Sequence, residues 1–460
     1  MLSAILATAL VLQVPVDTAQ GSGRPCQVAI DNMPRAAQTL TGPDTNYFGA
    51  GGVRAHCVGT GTTIAADSFA HYSAFRRMDL VGHVAIRDTG LALDANFASY
   101  FLRDERLEAH NNVIAVNRRT GTVLRGPNLK YWRAVKGVRD TVEMYAAQRP
   151  TVEYRQNQPG DTSSKEPYII VADRLRFKGD DRMWGGGKVT IDRSDFAARS
   201  DSMLLDQTTG FGVLVGRPSV EGRGGATTGE TGKSYTLVGT RIELGLAQRD
   251  VRQVKALGKG KATGTDWVLT ADTIDLRIAD RLLQQTFAWG DSMRPHAIST
   301  LYTIRSDSLA IDSPGEILTE SRAFGSAFST AKRDSLTPPK ETDWITGDSL
   351  TIRFAQEQDS VTKRPRSRLR ELVSRGAPAR ALTHHPNEGD TTKVGPSINY
   401  SRGHQITVAM LKDRIDRVVV AGKSDGVHLE PRPAVVADSL KSAGPSQPPA
   451  PPAAPPSASP

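Results

Sequence analysis

Long apolar runs are almost absent from this chain of 460 residues. One uncharged stretch exists, LSAILATALVLQV at 2–14. It is too short to span a bilayer but has the length of the apolar part of a secretory leader. No basic residues precede it, and Thr18-Ala19-Gln20 makes a poor cleavage site. It still points to export, with 1–20 as a leader or N-terminal anchor. Cysteine is nearly missing too: Cys26 and Cys57 are the only two. They either close one disulfide in an oxidising compartment or stay as two thiols, and the sequence does not choose. Aromatic residues make up 6% and hydrophobic residues 38%, low for a thick globular core and suited to a thin, extended β architecture.

Catalytic signatures are also missing. There is no HExxH and no cysteine with a catalytic partner. His384-His385 and His404 lack the spaced cysteines or carboxylates of a metal site. GATTGETGKS (225–234) fails as a phosphate loop, because Thr227 stands where glycine is required and a strand pattern follows. GKSDG (422–426) fits G-x-S-x-G with Ser424 as nucleophile, but no helix follows, so it reads as a turn. We therefore expect a non-enzyme without metal or cofactor.

What the chain does have is a repeat. TADTIDLRI (270–278) alternates apolar and polar residues behind Asp272, the mark of a strand with one dry face. Similar phrases start at Asp67, Asp94, Asp173, Asp201, Asp307 and Asp348. A metal ladder would need closely spaced Gly-Gly-x-Gly-x-Asp units, so these acids read as corner residues that bond nearby backbone N–H groups. A second phrase alternates with the first: GAGGVRA (49–55), DLVGHVAI (79–86), AHNNVIAV (109–116), WGGGKVTI (184–191), LGKGKAT (257–263) and others. Its glycine supplies the positive φ or tight bend expected to turn one strand into the next. Only part of 364–375 hints at a helix.

Repeats of this kind imply stacked supersecondary units. Two shapes fit, a folded antiparallel stack with open edges and a parallel β-helix. The glycine hairpins favour the first. The alternation of the two phrases resembles the OstA-like (organic solvent tolerance) family of periplasmic lipopolysaccharide-transport proteins. The resemblance is carried by 63–116, 239–278 and 406–431, within a span of about 47–431. It implies an extended stacked antiparallel β-jellyroll that shields acyl chains of lipopolysaccharide, or a related outer-membrane lipid, in an apolar groove. It also implies edge-to-edge strand pairing with other β-jellyroll transport proteins. The domains then read as 1–20 leader, 21–46 linker, 47–235 and 236–431 jellyroll regions, and 432–460 a Pro/Ala/Ser-rich disordered tail. Inward candidates for the groove are Leu175, Phe177, Ile274, Leu276, Ile278, Leu309, Ile311, Leu350, Ile352 and Phe354.

The net charge of +9 favours an anionic partner or simple solubility. The densest basic run, KRPRSRLRELVSRGAPAR (363–380), lacks aromatic residues for base stacking and reads as a solvated loop. An exported chain would not meet nucleic acid. Two further readings are a β-helix enzyme acting on acidic polysaccharide and a structural surface protein.

Overall fold

The computed structural model describes residues 26–155, 166–223, 235–247, 250–264, 267–299, 302–331, 342–358, 365–385, 393–411 and 414–433. The leader, the phosphate-loop-like stretch at 225–234 and the tail beyond 433 lie outside them. Among the described residues the chain is all β, apart from one 3₁₀ turn at Pro314–Glu316.

Strands β1 (Val28–Asn32) and β2 (Arg35–Thr41) both pair with the long β3 (Asp44–Cys57). The first takes its C-terminal half and the second its N-terminal half. The stretch expected as a linker thus carries two strands. Next come β4 (Thr62–Tyr72), β5 (Arg77–Arg87), β6 (Leu91–Phe101), β7 (Arg106–Asn117) and β8 (Val123–Trp132), each antiparallel to the one before. Each of these pairings slips register midway. There the strands bend, so one half of each lies in layer A, with β2, and the other in layer B, with β1.

The bend explains the two sequence phrases. Gly82-His83, Gly187-Lys188, Gly216-Arg217 and Gly325-Ser326 all have positive φ, the left-handed region that L side chains resist. A Cβ at Gly82, Gly187 or Gly325 would run into the carboxylate of Asp67, Asp173 or Asp307 respectively. The acid fills the corner that the missing side chain leaves open. DLVGHVAI, AHNNVIAV and WGGGKVTI lie inside β5, β7 and the strand that includes 184–191, where they bend a strand between layers instead of ending it. Asp94 is an exception: it pairs with Arg87, and Asn96 lies nearer the bend.

Beyond β8 the pairing closes on itself. Strand β9 (Glu143–Ala147) takes the C-terminal half of β8, and β10 (Thr151–Tyr154) its N-terminal half. Strand β11 (Tyr168–Val171) pairs with β10, and β12 (Arg174–Lys178) with β9. Both rejoin on β13 (Arg182–Arg193). The circuit β8–β9–β12–β13–β11–β10–β8 is a closed six-strand barrel.

The same circuit recurs. It links β14 (Phe196–Asp206), β15 (Phe211–Val215), β16 (Ser219–Gly222), β17 (Tyr235–Val238), β18 (Arg241–Ala247) and β19 (Asp250–Thr263). A third links β20 (Trp267–Ala279), β21 (Leu282–Trp289), β22 (His296–Ser299), β23 (Tyr302–Arg305), β24 (Ser308–Asp312) and β25 (Glu320–Ala331). Simple antiparallel neighbours follow in β26 (Asp343–Gln358), β27 (Pro365–His385) and β29 (Ser397–Leu411), while the two-residue β28 (Lys393–Val394) stands apart from them. Last are β30 (Arg414–Ala421), β31 (Asp425–Leu429) and β32 (Arg432–Pro433). The first two pair with β29, and the third pairs with β28.

These pairings correct four expectations. The open-edged stacked jellyroll is replaced by closed circuits within a thirty-strand sheet. The parallel β-helix fails because every assigned pairing between described strands is antiparallel. The basic run, from Pro365 on, is the strand β27, not a loop. The helix hint at 364–375 falls on that strand too, since alternate residues there pair across to β26 and β29.

One hydrophobic core runs between the layers from Cys26 to Val408. Polar contacts also bridge the two layers. Cys26 N donates to Glu105 Oε1 at 3.0 Å, and Asn117 Nδ2 to Asp180 Oδ1 at 2.7 Å. Arg193 forms ion pairs with Asp195 and, across the layers, with Asp250 at 3.0 Å; Arg281 reaches Asp195 at 3.7 Å. Arg193 and Asp195 are almost fully buried, and the Arg193 guanidinium also lies over the Tyr168 ring. Burial opposes the cation, yet the hydrogen bonds to Asp195 and Asp250 raise the Arg193 pKa above its ordinary value.

Candidate functional site

The ten residues expected to line a lipid groove lie in the hydrophobic core or against it. Leu175, Ile274 and Leu276 are 0% exposed, and Leu309, Leu350 and Ile352 no more than 2%. Phe177 is buried, while Ile278, Ile311 and Phe354 are half-buried and packed on the same core. Burying one such side chain contributes about 1.5–3 kcal/mol. The closed circuits do not match the open groove that was expected to shield acyl chains. The lipid-shielding function is therefore set aside.

Other sequence candidates are also accounted for. His384 Nδ1 lies 2.9 Å from Asp343 Oδ1, both in the interior. Ser424 sits in the exposed turn between β30 and β31. Asp272 accepts hydrogen bonds from the backbone N–H groups of Ser292 and Met293 at 2.8 and 3.0 Å, the work of a corner acid. No group of three or more His, Cys, Asp or Glu is arranged for a metal among the described residues.

Real space and unused hydrogen-bonding groups occur at the ends. At the N-terminal end a cavity of about 900 Å³ lies between the layers behind β1 and β2. Met33, Phe69, Met78 and Leu80 supply its apolar wall, and His71 lies on it. Burial lowers the His71 pKa, and its ring stacks on Tyr47. Cys26 and Cys57 are joined by a disulfide with Cα atoms 5.1 Å apart. That bond staples the start of β1 to the end of β3. Nearby, Glu105 holds the Tyr100 hydroxyl and the Arg133 guanidinium. Burial and the Glu105 carboxylate push the Tyr100 pKa up.

Among the described residues, β1 and β2 pair only with β3, and β30 and β31 only with β29. All seven residues of β2 and all five of β31 are exposed. Leu40 is 80% exposed. Nothing in the residues of these half-strands marks them as ends, because pairing is set by register and not by composition.

No protein-family model matches this chain, and no curated protein matches it either. With the closed circuits, this removes the resemblance to the OstA-like family as a guide to function. No helix of the described residues is long and apolar enough to cross a membrane.

Proposed function

We propose that the protein is a β scaffold that joins end to end with a second copy of itself by strand addition. One observation carries this reading: each end is half of the circuit that occurs three times inside the chain. In the first circuit the long β8 carries β9 on its C-terminal half and β10 on its N-terminal half. The long β13 carries β12 on its N-terminal half and β11 on its C-terminal half. At the C-terminal end, β29 carries β30 and β31 in the places of β9 and β10. At the N-terminal end, β3 carries β2 and β1 in the places of β12 and β11. The chain order agrees as well. If β30 met β2 and β31 met β1 of a second copy, the two chains would complete a fourth circuit.

Lengths support the match. Strands β30 and β2 have eight and seven residues, and β31 and β1 have five each. Edge strands with free N–H and C=O groups are templates for added strands. The apolar cavity behind β1 and β2 would be covered by the incoming end, whose Ile415, Val418 and Val420 already face its own core. Because the two surfaces differ, the contact is head to tail and leaves a free end on each side. The disulfide and the uncharged run at 2–14 support an exported location for this assembly.

Sedimentation tests the reading. Proline placed in turn at Ala37 and Gln38 puts one ring on the outward N–H position of β2, where the fold tolerates it and a new strand does not. Val418 and Val419 serve the same purpose on β30. Wild type is expected to form concentration-dependent open chains, and each blocked variant to be monomeric alone. A mixture of the two blocked variants should give a one-to-one dimer and nothing larger. A wild-type chain that stays monomeric at every concentration overturns the proposal.

A further inference from the structure

The outer face of layer B carries a patch assembled by strand register. Ile298, Thr303, Thr330, Trp344, Leu382 and Tyr400 form one row across β22, β23, β25, β26, β27 and β29. Arg305, Phe328, Thr346, Arg380 and Arg402 form a second row, two residues along each strand from the first. Directly paired residues, and residues two apart on a strand, project to one side. Between the rows, Ile304, Ser329, Ile345 and Ala381 are at most 5% exposed and point inward. The two rows therefore face out. Ile298 is 38% exposed, Phe328, Trp344, Leu382 and Tyr400 are half-buried, and the three arginines are exposed.

Charge on this face is one-sided. No carboxylate stands in either row from β22 to β29. Arg402 reaches Asp425, the acid at the end of its row on β31, at 3.9 Å. Arg305 and Arg380 have no ion pair among the described residues. An anionic partner complements such a face.

The rings and hydroxyls select the kind of anion. The Phe328 and Trp344 ring centres lie 6.3 Å apart with planes at 26°, and Tyr400 lies 6.4 Å from Trp344 at 60°. Phe328 and Trp344 each turn a face to the other, whereas nucleic-acid bases stack on open ring faces. Thr303 and Thr330 hydroxyls bond each other at 2.6 Å, and Thr346 donates to the Ala327 carbonyl at 2.9 Å. A polysaccharide would find few polar partners among them. A bilayer needs neither open faces nor hydroxyls. Trp and Tyr rings settle at its headgroup boundary, aliphatic side chains enter the acyl edge, and guanidinium groups pair with phosphates. We propose that this face docks the protein on an anionic lipid bilayer. Ile298, Trp344, Leu382 and Tyr400 meet the headgroup boundary, and Arg305 and Arg380 take lipid phosphates. The contact is with the outside of layer B and requires no path into the core.

Flotation of the full chain with phosphatidylcholine vesicles, with and without phosphatidylglycerol, tests this. Stronger binding to the anionic vesicles is expected, weakened by added salt. The uncharged run at 2–14 would bind both vesicles alike, so the excess on anionic vesicles reads this face. Arg305→Gln and Arg380→Gln should each weaken that excess about fivefold. Both positions are exposed, so the circular dichroism spectrum should stay that of wild type. Trp344→Phe removes the tryptophan of this face, and the fluorescence it removes should be the part quenched by lipids brominated near the headgroup. Equal binding to both vesicles overturns the proposal, as does an excess that both arginine variants leave unchanged. Binding of heparin or oligothymidylate without an excess on anionic vesicles would assign the face to a soluble polyanion and overturn it equally. None of the substituted residues lies on β1, β2, β30 or β31, so the outcome is independent of end-to-end assembly.

Discussion

Gly216 lies directly beneath Asp201. A Cβ on this glycine would sit 2.6 Å from an Asp201 carboxylate oxygen, and its φ is +77°. The Asp201 N–H also donates to the Gly216 carbonyl at 2.9 Å. Acid and glycine thus form one corner element, repeated where strands pass from layer A to layer B.

Gly216→Ala should lower stability by about 1–3 kcal/mol, through backbone strain and the clash with Asp201. Gly42→Ala is the control for strain alone: φ there is +64°, and nothing lies within 4 Å of an added Cβ. It should cost less. In the double variant Asp201→Ala/Gly216→Ala the clash is relieved, so the two losses should add to less than their sum. Urea unfolding of the wild type, Gly216→Ala, Asp201→Ala, the double variant and Gly42→Ala measures this.

The cross-layer ion pairs make a different expectation. Arg193 and Asp195 have side chains only 4% and 5% exposed, and Asp250 27%. Arg193→Met would leave the buried Asp195 carboxylate with only Arg281 at 3.7 Å, an effect of about 3 kcal/mol. Asp250→Asn should cost less, because its carboxylate keeps partial contact with water. Arg217→Gln, which breaks the Arg217–Asp201 pair with its 90% and 55% exposure, should cost little. The urea midpoints of the three variants should fall in that order, and the loss in Arg193→Met should change little with added salt.

Two histidines set a pH dependence. Burial lowers the pKa of His71, and burial followed by the charge of Arg305 lowers that of His296. In the unfolded chain both titrate near their ordinary value of about 6.5. Below that pH the unfolded state binds more protons than the folded one. Stability is therefore complete above about 6.5 and falls as pH drops toward the lowered folded values. The double variant His71→Gln/His296→Gln should show a flatter fall of the melting temperature between about pH 7 and pH 5.

The strands were legible in the sequence, and their closure was not. TADTIDLRI lies wholly within β20, with Asp272 at the corner and Ile274 and Leu276 inside. Period-two alternation reports which face is dry, but not which strand lies alongside. The circuits depend on short half-strands such as β9 and β12, paired across an intervening hairpin, and alternation looks the same in either arrangement. The glycine phrases misled for a related reason. Positive φ marks a sharp change of direction, and the same residue type serves a hairpin or a bend within a strand.

Ile274 decides between a packed interior and an apolar channel. It is 0% exposed, and it pairs with Ala256 on one side and Ala288 on the other, both also buried. In a channel open to ligand, Ile274→Ala would widen the space and cost little. In a close-packed core it leaves a cavity that neighbours on three strands cannot fill, and the loss should be about 2–5 kcal/mol. A photo-crosslinking residue at 274 separates the two further. In a packed core it should react within the chain and yield no lipid adduct when vesicles are present. Lipid adducts at 274, together with a stability loss well below that range, would show that the layers part in solution and that the ion pairs at Arg193 do not hold them.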